Sequence, residues 1–256
     1  GTPSCKAGGT EPGYESGEEA IDARPDTSFD DQGNGQPMLY SSGTTGKPKG
    51  IFVAAPAHDV DTPPMVAQTI GPVFGFGEET VYLAPAPLYH AAPLHYCLMT
   101  TYNGGTIVVM EHFDAQQSLA LIEEHRVTHS QWVPIMFIRM LKLPQEVREA
   151  YDLSSMQVAL HAAAPCPVDV KDQMIQWWGE IIFESYAASE GIGFTLIDSA
   201  SCLTHKGSVG PALVGELHIV YDDGNELPPG EIGTVYFGGP QTTFEYFDEP
   251  TKTAEA

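Results

Sequence analysis

The run Tyr40-Ser41-Ser42-Gly43-Thr44-Thr45-Gly46-Lys47-Pro48-Lys49-Gly50 concentrates residue types suited to phosphate. Glycines and small side chains let a backbone approach a ligand closely, and hydroxyls with exposed N–H groups can bond phosphate oxygens. Lys47 and Lys49 place two cations in a chain whose formal net charge is −23. The spacing is not that of the G-x-x-x-x-G-K-[ST] loop, which would require Gly at position 41 and a hydroxyl at 48, where this chain has Ser41 and Pro48. A solvated Ser/Gly turn accounts for part of the run but not for all of it.

Other candidate residues are individually weak. Tyr186 offers a flat, amphipathic face, yet a Tyr following Ile181-Ile182-Phe183 reads by itself as core. Glu190 before Gly191 reads by itself as a solvated loop residue, and His90 as a packed histidine in an apolar stretch. His95, His112, His129 and His161 read as structural. Trp132, Val133, Pro134, Ile135 and Met136 suit an apolar pocket and an ordinary core equally well. Cys5, Cys97, Cys166 and Cys202 have neither metal-ligand spacing nor the density of a disulfide scaffold, and read as reduced thiols of a cytoplasmic protein.

The elements that must position these residues follow from pattern. Residues 1–37, rich in Gly, Pro, Ser and acids, predict an extended lead-in, and the folded part occupies 38–256. Met38-Leu39-Tyr40 and Ile51-Phe52-Val53 predict strands flanking the glycine run, because Pro48 bars a regular helix there. Buried strands are predicted at 81–85, 106–110, 127–133, 158–161 and 181–186. Helices are predicted from an Asp114 cap to Arg126, over 134–143 and 144–151, and from Pro167 to a Gly179 stop. A hairpin is predicted from strands 215–221 and 234–237 around an Asp-Asp-Gly-Asn turn. Mixed strands and helices make this an α/β protein with mixed sheets flanked by helices.

Composition narrows the partners. The acidic balance repels nucleic acid and anionic membrane surfaces at long range, and an anionic nucleotide as well, so any phosphate site must rest on local lysines and backbone N–H groups. Prolines and histidines between Val81 and Met110 interrupt the ~20 apolar residues a transmembrane helix needs.

The string YSSGTTGKPKG resembles the phosphate-binding signature of adenylate-forming (AMP-binding) enzymes. Three later segments resemble the family in order and spacing: Ala86-Pro87-Leu88-Tyr89-His90, Ala162-Ala163-Ala164-Pro165 and Tyr186-Ala187-Ala188-Ser189-Glu190-Gly191. The resemblance is greatest to bacterial fatty acyl-CoA synthetases. It implies part of the large N-terminal domain of such an enzyme, activating a fatty acid to acyl-AMP and then acyl-CoA with ATP, Mg²⁺ and coenzyme A. Residues Ser41, Ser42, Gly43, Thr44, Thr45, Gly46, Lys47 and Lys49 would then hold the phosphates, Thr44 and Lys47 acting in catalysis. Ala163, Ala164 and Pro165 would run along the adenine and Tyr186 would stack on it, with Ala187 and Ser189 beside it. Glu190 would be the Mg²⁺ carboxylate, and His90 would orient the substrate carboxylate or line the tunnel mouth. Ser189 stands where the family usually has Thr, and Ala187 where it usually has Gly. The resemblance also implies a fragment: a first residue Gly rather than Met, no ribose-binding Asp segment after Ala256, and no small C-terminal domain with its lysine. Weak or absent turnover of the chain by itself is the corresponding expectation, with peripheral membrane contact left to the full-length parent. Alternatives are activation of an aryl or amino acid, and a nucleotide-binding module without catalysis.

Overall fold

The computed structural model of the protein describes residues 5–6, 12, 15–25, 27, 33–35, 37–41, 48–53, 58–59, 62–221, 223–239 and 244–254. The chain divides into a small unit, Gly1–Gly35 with Ala57–Thr62, and a large one, Gln36–Pro56 with Pro63–Ala256. In the small unit, β1 (Cys5–Lys6) pairs with β2 (Glu15–Ser16), followed by α1 (Gly17–Asp22) and β3 (Gly33–Asn34). This short helix lies in the lead-in read as extended. The Ser16 hydroxyl accepts from the Glu19 N–H, and Glu18 and Glu19 add negative charge to the first turn.

In the large unit, β4 (Leu39–Ser41) and β5 (Lys49–Val53) are the strands expected on either side of the glycine run, and they pair antiparallel. The short β6 (His58–Asp59) belongs to the small unit and pairs with β3. The large unit continues with α2 (Met65–Thr69), α3 (Gly71–Phe74), β7 (Val81–Ala84), α4 (Ala91–Tyr102) and β8 (Thr106–Val109). Next come α5 (Ala115–His125), β9 (His129–Trp132), α6 (Pro134–Leu141), α7 (Gln145–Arg148) and β10 (Val158–His161). They are followed by α8 (Val168–Trp178), β11 (Ile182–Ala187), β12 (Phe194–Ile197), α9 (Ser199–Thr204) and β13 (Ala212–Val214). The chain closes with the β14 (Glu216–Val220)–β15 (Thr234–Gly238) hairpin, β16 (Phe244–Tyr246) and α10 (Pro250–Ala254).

The main sheet has seven strands in the order β13-β12-β11-β10-β9-β7-β8. Strands β8, β7, β9, β10 and β11 are parallel, while β12 and β13 are antiparallel additions at one edge. Helices cover both faces. Tyr96, Cys97 and Met99 of α4 pack with Tyr82, Ala84, Val158 and Leu160 on one side. On the other, Leu119 and Ile122 of α5, Phe137 and Met140 of α6, and Met174 and Trp178 of α8 pack with Leu83, Trp132, Ala159 and Ile182. Every residue of β9 and β10 is buried, as a parallel sheet covered on two faces requires.

Local chemistry sets the helix limits. The Asp114 carboxylate accepts from the Gln117 N–H (2.8 Å), and Arg126 closes α5 in the left-handed region at φ 53°. Pro167 precedes the first turn of α8 and Gly179, at φ 85°, ends it. The predicted helix over 144–151 is only the single turn α7.

Candidate functional site

Three of the sequence-marked segments follow the carboxyl ends of parallel strands. Residues 85–90 follow β7, residues 162–165 follow β10, and Ala188-Ser189-Glu190 follows β11. Chain order reverses between β7 and β9, because β8 lies on the far side of β7. Open α/β sheets bind ligands beyond the carboxyl ends at such a reversal. His90 stands there, exposed and extended (φ −87°, ψ 149°), as the residue that opens α4, with the Tyr89 ring 4.5 Å away.

At the end of β10, with β9 between it and β7, Ala163 lies in the left-handed region at φ 74°. A Cβ makes that conformation costly by about 1–2 kcal/mol, and such strain collects where a backbone segment is held for function. Ala163, Ala164 and Pro165 are all exposed. Lys171 of α8 and Glu184 of β11 form a buried ion pair. His161, wholly buried, has its Nε2 3.9 Å from Glu184 Oε2, and neither ring nitrogen has a hydrogen-bond partner among the described residues. Burial, and then the Lys171 charge, lower its pKa to about 3, so the ring is neutral. Burial raises the Cys166 and Cys202 thiols, which makes them poor nucleophiles.

Tyr186 is 46% exposed, so the core placement suggested by its apolar neighbours does not hold. Its ring lies 6.3 Å from that of Phe237 at 25°. A Cβ on Gly193 would overlap the Phe237 ring, so this glycine admits the aromatic that backs Tyr186. The β11–β12 hairpin loop carries Ser189 and Glu190, and is tightened by the Gly191 N–H donating to the Ala188 carbonyl (3.1 Å).

Glu190 is tied to the strand that carries Lys49. The Tyr246 hydroxyl donates to Glu190 Oε1 at 2.8 Å, and the Lys49 ammonium lies 4.5 Å from the centre of the same ring. Tyr246 is held by pairing of β16 with β5, where Tyr246 opposes Ile51, and by its own N–H donating to the Thr253 hydroxyl (2.9 Å). Burial, followed by the bond to Glu190, raises its phenol to about 12.

Among the described residues no group of three or more His, Cys, Asp or Glu side chains can hold a metal ion. Mg²⁺ does not need one, since it keeps waters and takes one or two carboxylates together with substrate phosphates. Glu190 fits that requirement: it is half-buried, one oxygen is oriented by Tyr246, and the other has no protein partner among the described residues.

The structure therefore brings Lys49, Glu190 and the previously unmarked Tyr246 into one linked group, and sets His90, Ala163, Ala164, Pro165, Tyr186, Ala187 and Ser189 at the carboxyl ends of β7, β10 and β11. Ser41 ends β4. The expectations for Ser42, Gly43, Thr44, Thr45, Gly46 and Lys47 lie outside the described residues. Trp132 and Met136 are core residues, Trp132 packing 5.5 Å from Trp178, whereas Ile135 is exposed. Tyr246 had a weak signal in the aromatic alternation Phe244-Glu245-Tyr246; Phe237 had none beyond its strand.

Comparisons with known proteins agree with this architecture. Feruloyl-CoA synthase of an Amycolatopsis species is 30% identical over 221 residues, covering 85% of this chain and 43% of that protein. The amide bond synthetase McbA of Marinactinospora thermotolerans superposes with a TM-score of 0.78 at 25% identity, covering 98% of this chain and 50% of that one. ATP-bound MatB of Rhodopseudomonas palustris gives 0.68 at 27% identity, covering 85% and 42%. The chain thus spans about half or less of the length of these relatives. A sequence model of the AMP-binding enzyme family matches residues 10–247. With that match across nearly the whole chain, and the fold of its solved relatives, the protein belongs to the AMP-binding enzyme family.

Proposed function

We propose that the protein activates a carboxylic acid with ATP and passes the acyl group to the thiol of coenzyme A. A carboxylate oxygen of the acid attacks the α-phosphorus, the bond from that phosphorus to the bridging oxygen breaks, and pyrophosphate leaves. The thiol sulfur then attacks the acyl carbon, the bond from that carbon to the phosphate oxygen breaks, AMP leaves, and the thiol proton is released to solvent. No protein nucleophile is needed. Catalysis is positioning and charge stabilisation. Lys47 and Lys49 contribute positive charge, and Thr44 with the other hydroxyls and N–H groups of the glycine run donates hydrogen bonds to the phosphates. Tyr186 and the backbone of Ala163-Ala164-Pro165 hold the adenine, and His90 orients the acid. Glu190 would hold Mg²⁺, whose charge would neutralise that of the phosphates.

The observation that carries this reading is the Lys49–Tyr246–Glu190 group, which joins the strand leaving the glycine run to the loop beyond β11. An arylpropenoic acid is the preferred substrate class, supported by the similarity to a feruloyl-CoA synthase and a 4-coumarate–CoA ligase. The fatty acid expected from the sequence has less support, since Trp132 and Met136 are taken up by the core. Exchange of labelled pyrophosphate into ATP, measured on the full-length protein with hydroxycinnamic, fatty and amino acids, tests the reading. Hydroxycinnamic acids should support the fastest exchange; absence of exchange with every acid would overturn the assignment.

A further inference from the structure

We propose that Tyr246 is a positioning residue that orients Glu190 toward the metal and keeps Glu190 and Lys49 from pairing with each other. The inference rests on the proposed metal role of Glu190 and adds to it a residue outside every recognised segment. A carboxylate that binds a metal through one oxygen needs its other oxygen held, or the side chain samples rotamers that point away. The Tyr246 hydroxyl does this at 2.8 Å from Glu190 Oε1. Tyr246 as a residue is only 9% exposed, and its bond to the half-buried Glu190 is partly buried.

The same ring separates two opposite charges. Lys49 lies against its face, 4.5 Å from the centroid, while Glu190 lies at its hydroxyl edge. An anion accepting from the hydroxyl enriches the ring's electron density and strengthens its hold on the cation. With the ring absent, a flexible lysine and a nearby carboxylate would close into an ion pair, and both would lose the capacity to meet a metal and a phosphate. Tyr246 itself is fixed from behind, through β16–β5 pairing and the Thr253 hydroxyl. The geometry of Glu190 and Lys49 is thereby set before any nucleotide arrives.

The test compares AMP without metal and ATP with Mn²⁺, by calorimetry and by Mn²⁺ paramagnetic resonance, on the whole chain. The variants are Tyr246→Phe, Glu190→Gln and their combination. Tyr246→Phe retains the ring under Lys49 and removes only the hydroxyl. It should weaken Mn²⁺–ATP binding roughly 10–100-fold, leave AMP binding within about two-fold, and add nothing further to Glu190→Gln in the double variant. Equal weakening of AMP and Mn²⁺–ATP would overturn the proposal, as would additive effects or a Tyr246→Phe chain that fails to fold, since each makes the hydroxyl a scaffold group. If Glu190→Gln weakens Mn²⁺–ATP and Tyr246→Phe does not, the positioning role falls and the metal role stands. If neither does, or the unaltered chain binds neither ligand, the metal reading falls and takes the proposal with it.

Discussion

Lys171 and Glu184 meet directly between α8 and β11, each 5% exposed, whereas Lys49 and Glu190 stand at different parts of one tyrosine ring near the sheet's edge. Both regions combine a lysine and a glutamate. In the interior, desolvation leaves the charges no alternative partner, so they close on each other and serve the scaffold. At the edge, intervening aromatic surface keeps them apart and leaves one carboxylate oxygen for a ligand. On the proposed reading, a binding group is distinguished here by restrained, unmet valence more than by residue type.

The largest expected effect comes from breaking the interior pair. Lys171→Met leaves Glu184 buried and unpaired and should cost about 3–5 kcal/mol in urea denaturation, while Lys171→Met with Glu184→Leu should recover most of it. A single substitution as mild as the double one would contradict a closed pair. Next, Gly193→Ala forces the Phe237 ring aside; overpacking of this kind costs about 1–3 kcal/mol, and AMP affinity should fall with it because Tyr186 loses its backing.

His161 gives a pH-dependent contrast with the edge group. Its folded pKa of about 3 lies below the ordinary histidine value, so below pH 6.5 the unfolded chain takes up a proton that the folded chain refuses. Stability should therefore be lost as pH falls from about 6.5 toward 3, by at most about 1.4 kcal/mol per pH unit from this group. His161→Phe should flatten that part of the profile in melts followed by circular dichroism. The smallest effect expected is a gain: Ala163→Gly relieves a left-handed backbone and should add up to about 1 kcal/mol, read in the same melts.

Much of the scaffold was legible because local chemistry dictates it. Asp114 announced α5, Pro167 and Gly179 bounded α8, and the β-rich apolar runs became β7, β8 and β10. The helix α4 was missed, since it is apolar on several sides and carries Pro93 in its first turn, where proline is tolerated. The order β8-β7-β9-β10-β11 is invisible to periodicity, which reports a strand's faces and not its neighbours. The site divided along the same line. Glu190, Tyr186 and Lys49 were named through contiguous motifs, but Tyr246 lies 56 residues from Glu190, and only the pairing of β16 with β5 brings it into place.

The proposed function depends on an adenine nucleotide held against Tyr186 at the carboxyl edge of the parallel sheet. Calorimetric titration of AMP into the unaltered chain and into Tyr186→Ala tests it most directly. Loss of base stacking worth about 1–3 kcal/mol predicts a fall in affinity of roughly 5- to 150-fold with the fold intact. Equal affinity in the two chains would contradict the placement of the nucleotide.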